Sequence, residues 1–218
     1  MTIPKNVSKA DHERKADFKR RLETFSDIMF GLSLSQLPLL LDLPPRASDL
    51  ITQPVRYIVF FGSFAIVCTF WYSHHRMFRY FYPGRIDVLV NFLYLAFAVL
   101  VPFGMQTMIK FPDDPIAFGV YVASFIGTSS TMFVLLVRGL RRNVSHIAEP
   151  ESLELYRRAV RMACICVVMV LALGLLHFGL QYAANSLWLL PPGLFFARIL
   201  VRRVPTGILT SFSLVKKA

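Results

Sequence analysis

Six apolar stretches recur along the chain, roughly at residues 28–43, 55–73, 86–109, 115–137, 162–184 and 186–201. A helix needs about 20 apolar residues to cross a hydrocarbon core of about 30 Å. Most of these stretches are long enough; the first and last must borrow flanking residues. The expected fold is therefore all-α, a membrane protein of six transmembrane helices. Composition agrees, because 55% of the 218 residues are apolar and only 17% are charged. A soluble chain would have too little polar surface to cover such a core.

The net charge of +11 raises nucleic acid as a partner, but the placement of the charges argues against it. With the N-terminus assigned to the cytoplasm, 21 of the 24 Lys and Arg fall on the cytoplasmic side. Only Arg46, Arg56 and Lys110 fall on the other. That asymmetry is a positive-inside signal, and it requires an even number of spans with both termini cytoplasmic. The basic groups alternate with spans and form no single patch, so no nucleic-acid partner is expected.

Residues 1–17 are polar, and the pattern Phe18, Leu22, Phe25 suggests that helix 1 starts near Asp17, ahead of the membrane. The chain divides into a polar cytoplasmic N-terminus (1–17), a six-helix unit (18–203) and a cytoplasmic tail (204–218). Pro38 predicts a kink in helix 1, and Pro44-Pro45 end it. Pro83-Gly84 reads as a tight turn between helices 2 and 3, and Phe111–Pro115 as the next external turn. Asn143–Tyr156 is the longest polar connection, and Pro191-Pro192 interrupt helix 6. No cleavable signal peptide is expected, since the first 24 residues lack a short apolar core. Cys68, Cys164 and Cys166 sit within spans without zinc-type spacing and read as buried thiols. There is no GxGxxG, Walker or other catalytic motif, so neither an enzyme nor a cofactor is expected.

Helix 1 carries the sharpest signal. Ile28, Leu32, Ser35 and Leu39 follow steps of four, three and four, and so share one face. From Leu32 to Leu39 that face spans about 10 Å at 1.5 Å per residue. Asp27 bounds it on the inside and Asp42 on the outside. Repeated around a symmetry axis, such a face would form a narrow apolar pore with one hydroxyl ring and acidic mouths. Alternatively, the stripe packs against other helices with Ser35 as a small polar contact. A chain of this size that conducts ions would assemble several copies around a closed axis.

Asp27 closes the run Arg-Leu-Glu-Thr-Phe-Ser-Asp, residues 21–27, and an ionisable group at the entrance of a membrane helix suggests function. Thr24 and Asp27 also have the spacing of a helix-start cap. Arg21 and Asp27 lie about 120° apart around a helix and do not readily pair, so partners on other helices are favoured over a plain cap. Helix 2 ends in Phe-Trp-Tyr-Ser-His-His-Arg, residues 70–76, where His74, His75 and Arg76 offer donors to carboxylates. Adjacent histidines diverge by about 100° on a helix, which disfavours joint chelation of a metal. Asn91 is a buried amide suited to the same network, and His177 reads as an isolated packed histidine.

The Arg-x3-Phe-Ser-Asp block, Arg21, Phe25, Ser26 and Asp27, resembles the signature of the transmembrane protein 175 family of potassium-permeable channels. Residues 70–78 and 91–103 (NFLYLAFAVLVPF) are similar to the family as well. The resemblance is specific across helices 1–3 and merely compatible beyond. It implies one six-helix unit per chain, a homotetramer in a bacterial or archaeal plasma membrane, and helix 1 lining a central pore. It places the filter on Leu32, the hydroxyl ring on Ser35 and an outer apolar ring on Leu39. Ser35 stands where Thr is common, and Gln36 and Pro38 also depart from the pattern. Arg21, Ser26 and Asp27, with His75 and Asn91, map to the network that holds the pore helices.

The expected function is passive conduction of potassium and other monovalent cations through a hydrophobic constriction. The alternatives are a proton-coupled transporter or proton pathway through His177 or an acid, and an intramembrane haem or metal protein using His74, His75 and His177.

Overall fold

The structure is a computed structural model that describes residues 5–39, 41, 46, 54–79, 83–111, 114–143 and 149–177. Among these residues the chain forms five α-helices. They are α1 (Lys5–Leu39), α2 (Pro54–Phe78), α3 (Arg85–Lys110), α4 (Pro115–Asn143) and α5 (Glu149–His177). The sixth apolar stretch, its Pro191-Pro192 break, the tail 204–218 and Asp42 lie outside the described residues. Three of the five helices are long and apolar enough to cross a membrane, over Arg85–Met108, Pro115–Arg142 and Glu151–Leu175.

Two boundaries differ from the sequence reading. Helix α1 begins at Lys5, a dozen residues before Asp17. Its first turns are rich in Lys, Arg, Glu and Ala, which favour helix without needing an apolar face. At 35 residues it is about 50 Å long, well beyond a hydrocarbon core. Helix α5 likewise starts at Glu149, inside the stretch expected to connect to Tyr156. Proline is tolerated in the first turn, where its missing N–H has no helical partner, so Pro150 does not prevent this start. Ser152 and Leu155 then turn inward and are buried.

The turn at Pro83-Gly84 has a local cause. The Asp87 carboxylate accepts the Gly84 backbone N–H at 2.8 Å, satisfying a donor at the start of α3. At the other end of α3 the Phe111 N–H donates to the Thr107 carbonyl at 2.8 Å.

Helix α4 packs most extensively, against α3 on one side and α5 on the other, while α1 lies across α2 and α3. Close approach, more than apolar transfer, must hold helices together in lipid. Glycine supplies that approach twice. A Cβ on Gly104 would lie 2.7 Å from the Tyr121 Cα of α4, and one on Gly127 would collide with the Phe97 ring. The α4 hydroxyls stay within their own helix: Ser124 donates to the Tyr121 carbonyl and Thr128 to the Ser124 carbonyl, each at 2.7 Å. The centre of the packing holds Val67 and Phe70 of α2, Tyr94 and Leu95 of α3, and Tyr121 and Phe125 of α4.

Contacts between basic residues and neighbouring helices gather at one end. There Lys19 of α1 reaches the Arg79 carbonyl, Arg138 and Arg142 of α4 meet Asp87 of α3, and Arg158 of α5 stacks on Tyr72 of α2. Partial burial lowers the affinity of the Lys19 ammonium for its proton, against an opposing pull from Glu23.

Candidate functional site

Helix α1 has two contrasting faces. Leu22, Ser26, Phe30, Ser33 and Leu37 are buried, at steps of four, four, three and four. Ile28, Leu32, Ser35 and Leu39 lie on the opposite side and are exposed, Ile28 at 63% and Leu39 at 80%. Gly31 lies beside them, and a Cβ there would meet nothing within 4 Å. The Ser35 hydroxyl donates to the Leu32 carbonyl at 2.8 Å, which parks its proton on the helix and leaves oxygen lone pairs outward. A single chain therefore covers one stripe of α1 and leaves the four-residue stripe uncovered.

The buried face ends in a directional chain of hydrogen bonds. Ser26 donates to the Leu22 carbonyl at 2.8 Å and accepts from Asn91 Nδ2 at 3.3 Å. The Asn91 carbonyl oxygen lies 2.6 Å from His74 Nε2. Because the amide nitrogen of Asn91 is used on Ser26, its oxygen is the acceptor and His74 Nε2 carries the proton. All three side chains are fully buried. The His74 ring lies parallel to Tyr94 at 5.2 Å and against Phe78 at 4.6 Å, while the Tyr94 hydroxyl donates to the Phe70 carbonyl. This joins α1, α2 and α3 through one amide.

The exposed side of the same junction has its own contacts. Trp71 Nε1 donates to Asp27 at 2.8 Å, and the indole stacks on His75. His75 Nδ1 lies 3.1 Å from Glu23 of α1. Phe25 meets Phe92 of α3 edge-on at 5.8 Å. Asp27 thus reaches a partner on a neighbouring helix, whereas Arg21 pairs with Asp17 on its own helix at 2.9 Å. His75 joins α2 to α1 through Glu23, and it is His74 that meets Asn91.

His74, expected as one of three possible donors at the end of α2, is the one that meets Asn91, while Glu23 and Asp87 carried no expected role. His74 follows Phe70 by four and precedes Phe78 by four, a spacing that turns it inward. Glu23 stands four residues before Asp27, within reach of the same neighbouring helix. Asp87 sits three residues after Gly84, at capping spacing. Its carboxylate is 1% exposed and accepts from Arg138 Nε and Arg142 Nη1, each at 2.6 Å. Among the described residues no group of three or more His, Cys, Asp or Glu could hold a metal ion.

Residues 21–102 match the sequence model of the family described as endosomal/lysosomal potassium channel TMEM175. A potassium channel of Chamaesiphon minutus is 26% identical over 123 residues, 49% of this chain and 58% of that protein. A potassium channel of Marivirga tractuosa is 27% identical over 95 residues, 43% of this chain and 38% of that protein. The chain thus spans about half the length of the curated relatives it matches. Among solved structures, a lysosomal potassium-selective channel TMEM175 homolog from Chamaesiphon minutus superposes with a TM-score of 0.66 at 19% identity, covering 85% of this chain and 98% of that one. A variant of the potassium channel MtTMEM175, in complex with a nanobody–MBP fusion protein, gives 0.64 at 18% identity, covering 84% and 94%. The resemblance read from Arg21–Asp27 and the two later stretches is borne out as a similarity: residues 21–102 match the TMEM175 family model, and the chain shares the fold of the two solved channels.

Proposed function

We propose that this TMEM175-family chain is a homotetrameric, six-helix, potassium-permeable channel in which α1 lines a central pore. One observation carries the reading: the stripe Ile28, Leu32, Ser35, Leu39 stays uncovered while the opposite face of α1 is packed inside the chain. Four such stripes facing one axis give apolar rings at Ile28, Leu32 and Leu39, with a hydroxyl ring at Ser35. Leu32 forms the narrowest ring and sets conduction through the ease with which it wets. Ser35 offers oxygen lone pairs to partly dehydrated cations, and Asp27 adds negative potential at the inner mouth. Phe25, Ser26, Asp27, His75 and Asn91 hold the pore helices against α2 and α3, with Arg21 bracing α1 through Asp17.

The chain crosses a prokaryotic plasma membrane several times with both termini cytoplasmic, since the basic residues gather at one end. The unit comprises residues 18–203, preceded by a polar segment that continues α1 outward and followed by the tail 204–218. Flow is passive and needs no cofactor or reaction.

The test is cation flux from liposomes holding the purified protein, under potassium or sodium gradients, with wild type and Leu32→Ala. Potassium-favoured flux, with selectivity relaxed in Leu32→Ala, is expected. Unchanged reversal potentials in mixed potassium and sodium would remove Leu32 from the filter. Saturating flux that depends on a proton gradient would favour a proton-coupled transporter.

A further inference from the structure

Two turns of α5 carry Glu154, Arg157, Arg158 and Arg161, and Arg158 faces the end of α2 where Tyr72 and Arg76 lie. The Tyr72 ring has two guanidinium groups near it, Arg158 at 5.4 Å and Arg76 at 5.9 Å from its centroid. Arg158 is nearly enclosed, with 8% of its side chain exposed. Glu154 is the carboxylate within reach, 3.1 Å from Arg158 and 3.8 Å from Arg161. Arg157 stands three residues after Glu154 and four before Arg161, on the same flank of α5.

Two guanidinium groups are incompletely served. Arg76 Nε and Arg157 Nε are buried and have no hydrogen-bond acceptor among the described residues. A buried donor without an acceptor is costly, so Arg76 Nε and Arg157 Nε each have room for an acceptor oxygen. Asp17, Glu23, Asp27 and Asp87 are engaged elsewhere. The stretches 80–82, 144–148 and 178–218 contain neither Asp nor Glu.

We propose that Arg76 and Arg157, with Arg158, Arg161 and Tyr72, form a binding site for the phosphate of an anionic phospholipid headgroup. A phosphodiester supplies negative charge and acceptor oxygens, which match the planar donor fork of arginine. The site lies where basic helix ends meet apolar spans, the depth of a headgroup in a membrane. Below it on α5, Val167 and Leu171 are 58% and 62% exposed, a track suited to an acyl chain. A free phosphate would use the same donors but would gain nothing from that track. The proposal requires only that the helices span a membrane, not that the chain conduct.

The test is native mass spectrometry of the full chain in detergent, titrated separately with phosphatidylglycerol and phosphatidylcholine, and with inorganic phosphate as competitor. Wild type should retain phosphatidylglycerol in preference to phosphatidylcholine, with little displacement by millimolar phosphate. Arg76→Gln and Arg157→Gln should each weaken retention roughly fivefold, while Arg20→Gln on exposed α1 leaves it unchanged. Glu154→Gln removes the competing acid and should strengthen retention, which keeps the site testable if an arginine variant fails to fold. Equal retention of both lipids, equal loss in Arg20→Gln, unchanged or weaker retention in Glu154→Gln, or displacement by inorganic phosphate would each overturn the lipid site.

Discussion

His74 of α2 and Asn91 of α3 meet at 2.6 Å in a setting with no exposure to solvent, and Asn91 passes the contact on to Ser26 of α1. One amide therefore ties the signature block of the first helix to the two helices behind it. Its oxygen and nitrogen are both committed, so neither neighbour can be released without leaving a buried polar group unmatched. The same junction lies on the side of α1 opposite Leu32, which makes it a brace for that helix and not part of its uncovered stripe.

Asn91→Leu should destabilise the protein by about 2–3 kcal/mol, because His74 loses its acceptor and Ser26 its donor in a dry interior. His75→Ala should cost about 0–1 kcal/mol, since the Glu23 pair is partly exposed. Thermal unfolding in detergent compares the two. A larger loss in His75→Ala would reverse the assignment of the brace.

Asp87→Asn should be more damaging than its position at a helix end suggests. The carboxylate is almost fully enclosed, accepts from two arginines of α4 and caps the start of α3. Removing its charge leaves two guanidinium groups facing an amide. Both arginines are partly exposed, so the cost is reduced from that of a dry pair to about 2–4 kcal/mol. Thermal unfolding and expression level report it, and a melting temperature equal to wild type would mean that water satisfies both arginines.

The helical pattern was readable from apolar length and charge asymmetry, and the helix-1 stripe from spacing alone. Its uncovered state needed the packed neighbours, since periodicity places Leu32 and Phe30 on different faces without saying which is inside. Lys5–Ala16 lacks an apolar face, so its helix was hidden from hydropathy and rests on propensity. His74 and His75 were equally eligible by type; only the rotation of α2 relative to α3 chooses the one that meets Asn91. Asp87 is not legible as an ion-pair centre in the sequence, because its partners lie more than fifty residues away on α4.

Gly104→Ala should lower stability by about 1–3 kcal/mol, whereas Gly119→Ala should be neutral or stabilising by about 0.5–1 kcal/mol. The added methyl on Gly104 would press on the Tyr121 backbone, which cannot yield like a side chain, while one on Gly119 meets nothing within 4 Å. Paired thermal melts separate close helix packing from intrinsic helix preference. Equal shifts in the two variants would mean that α3 and α4 can move apart at little cost.

Asp27 stands beside the uncovered stripe, yet its contact is with Trp71 on α2. Asp27→Asn retains a carbonyl oxygen for the indole N–H and loses the charge, while Asp27→Ala loses both. Trp71→Phe keeps the charge and removes the donor. If the hydrogen bond holds α1 in place, Asp27→Ala and Trp71→Phe should both reduce the recovery of assembled protein by size-exclusion chromatography, and Asp27→Asn should assemble normally. The charge is then read independently: reversal potentials of Asp27→Asn in mixed potassium and sodium should stay close to wild type, because an exposed carboxylate raises local cation concentration without distinguishing the two ions. Normal assembly of Asp27→Ala with altered ion preference would transfer Asp27 from the brace to the filter.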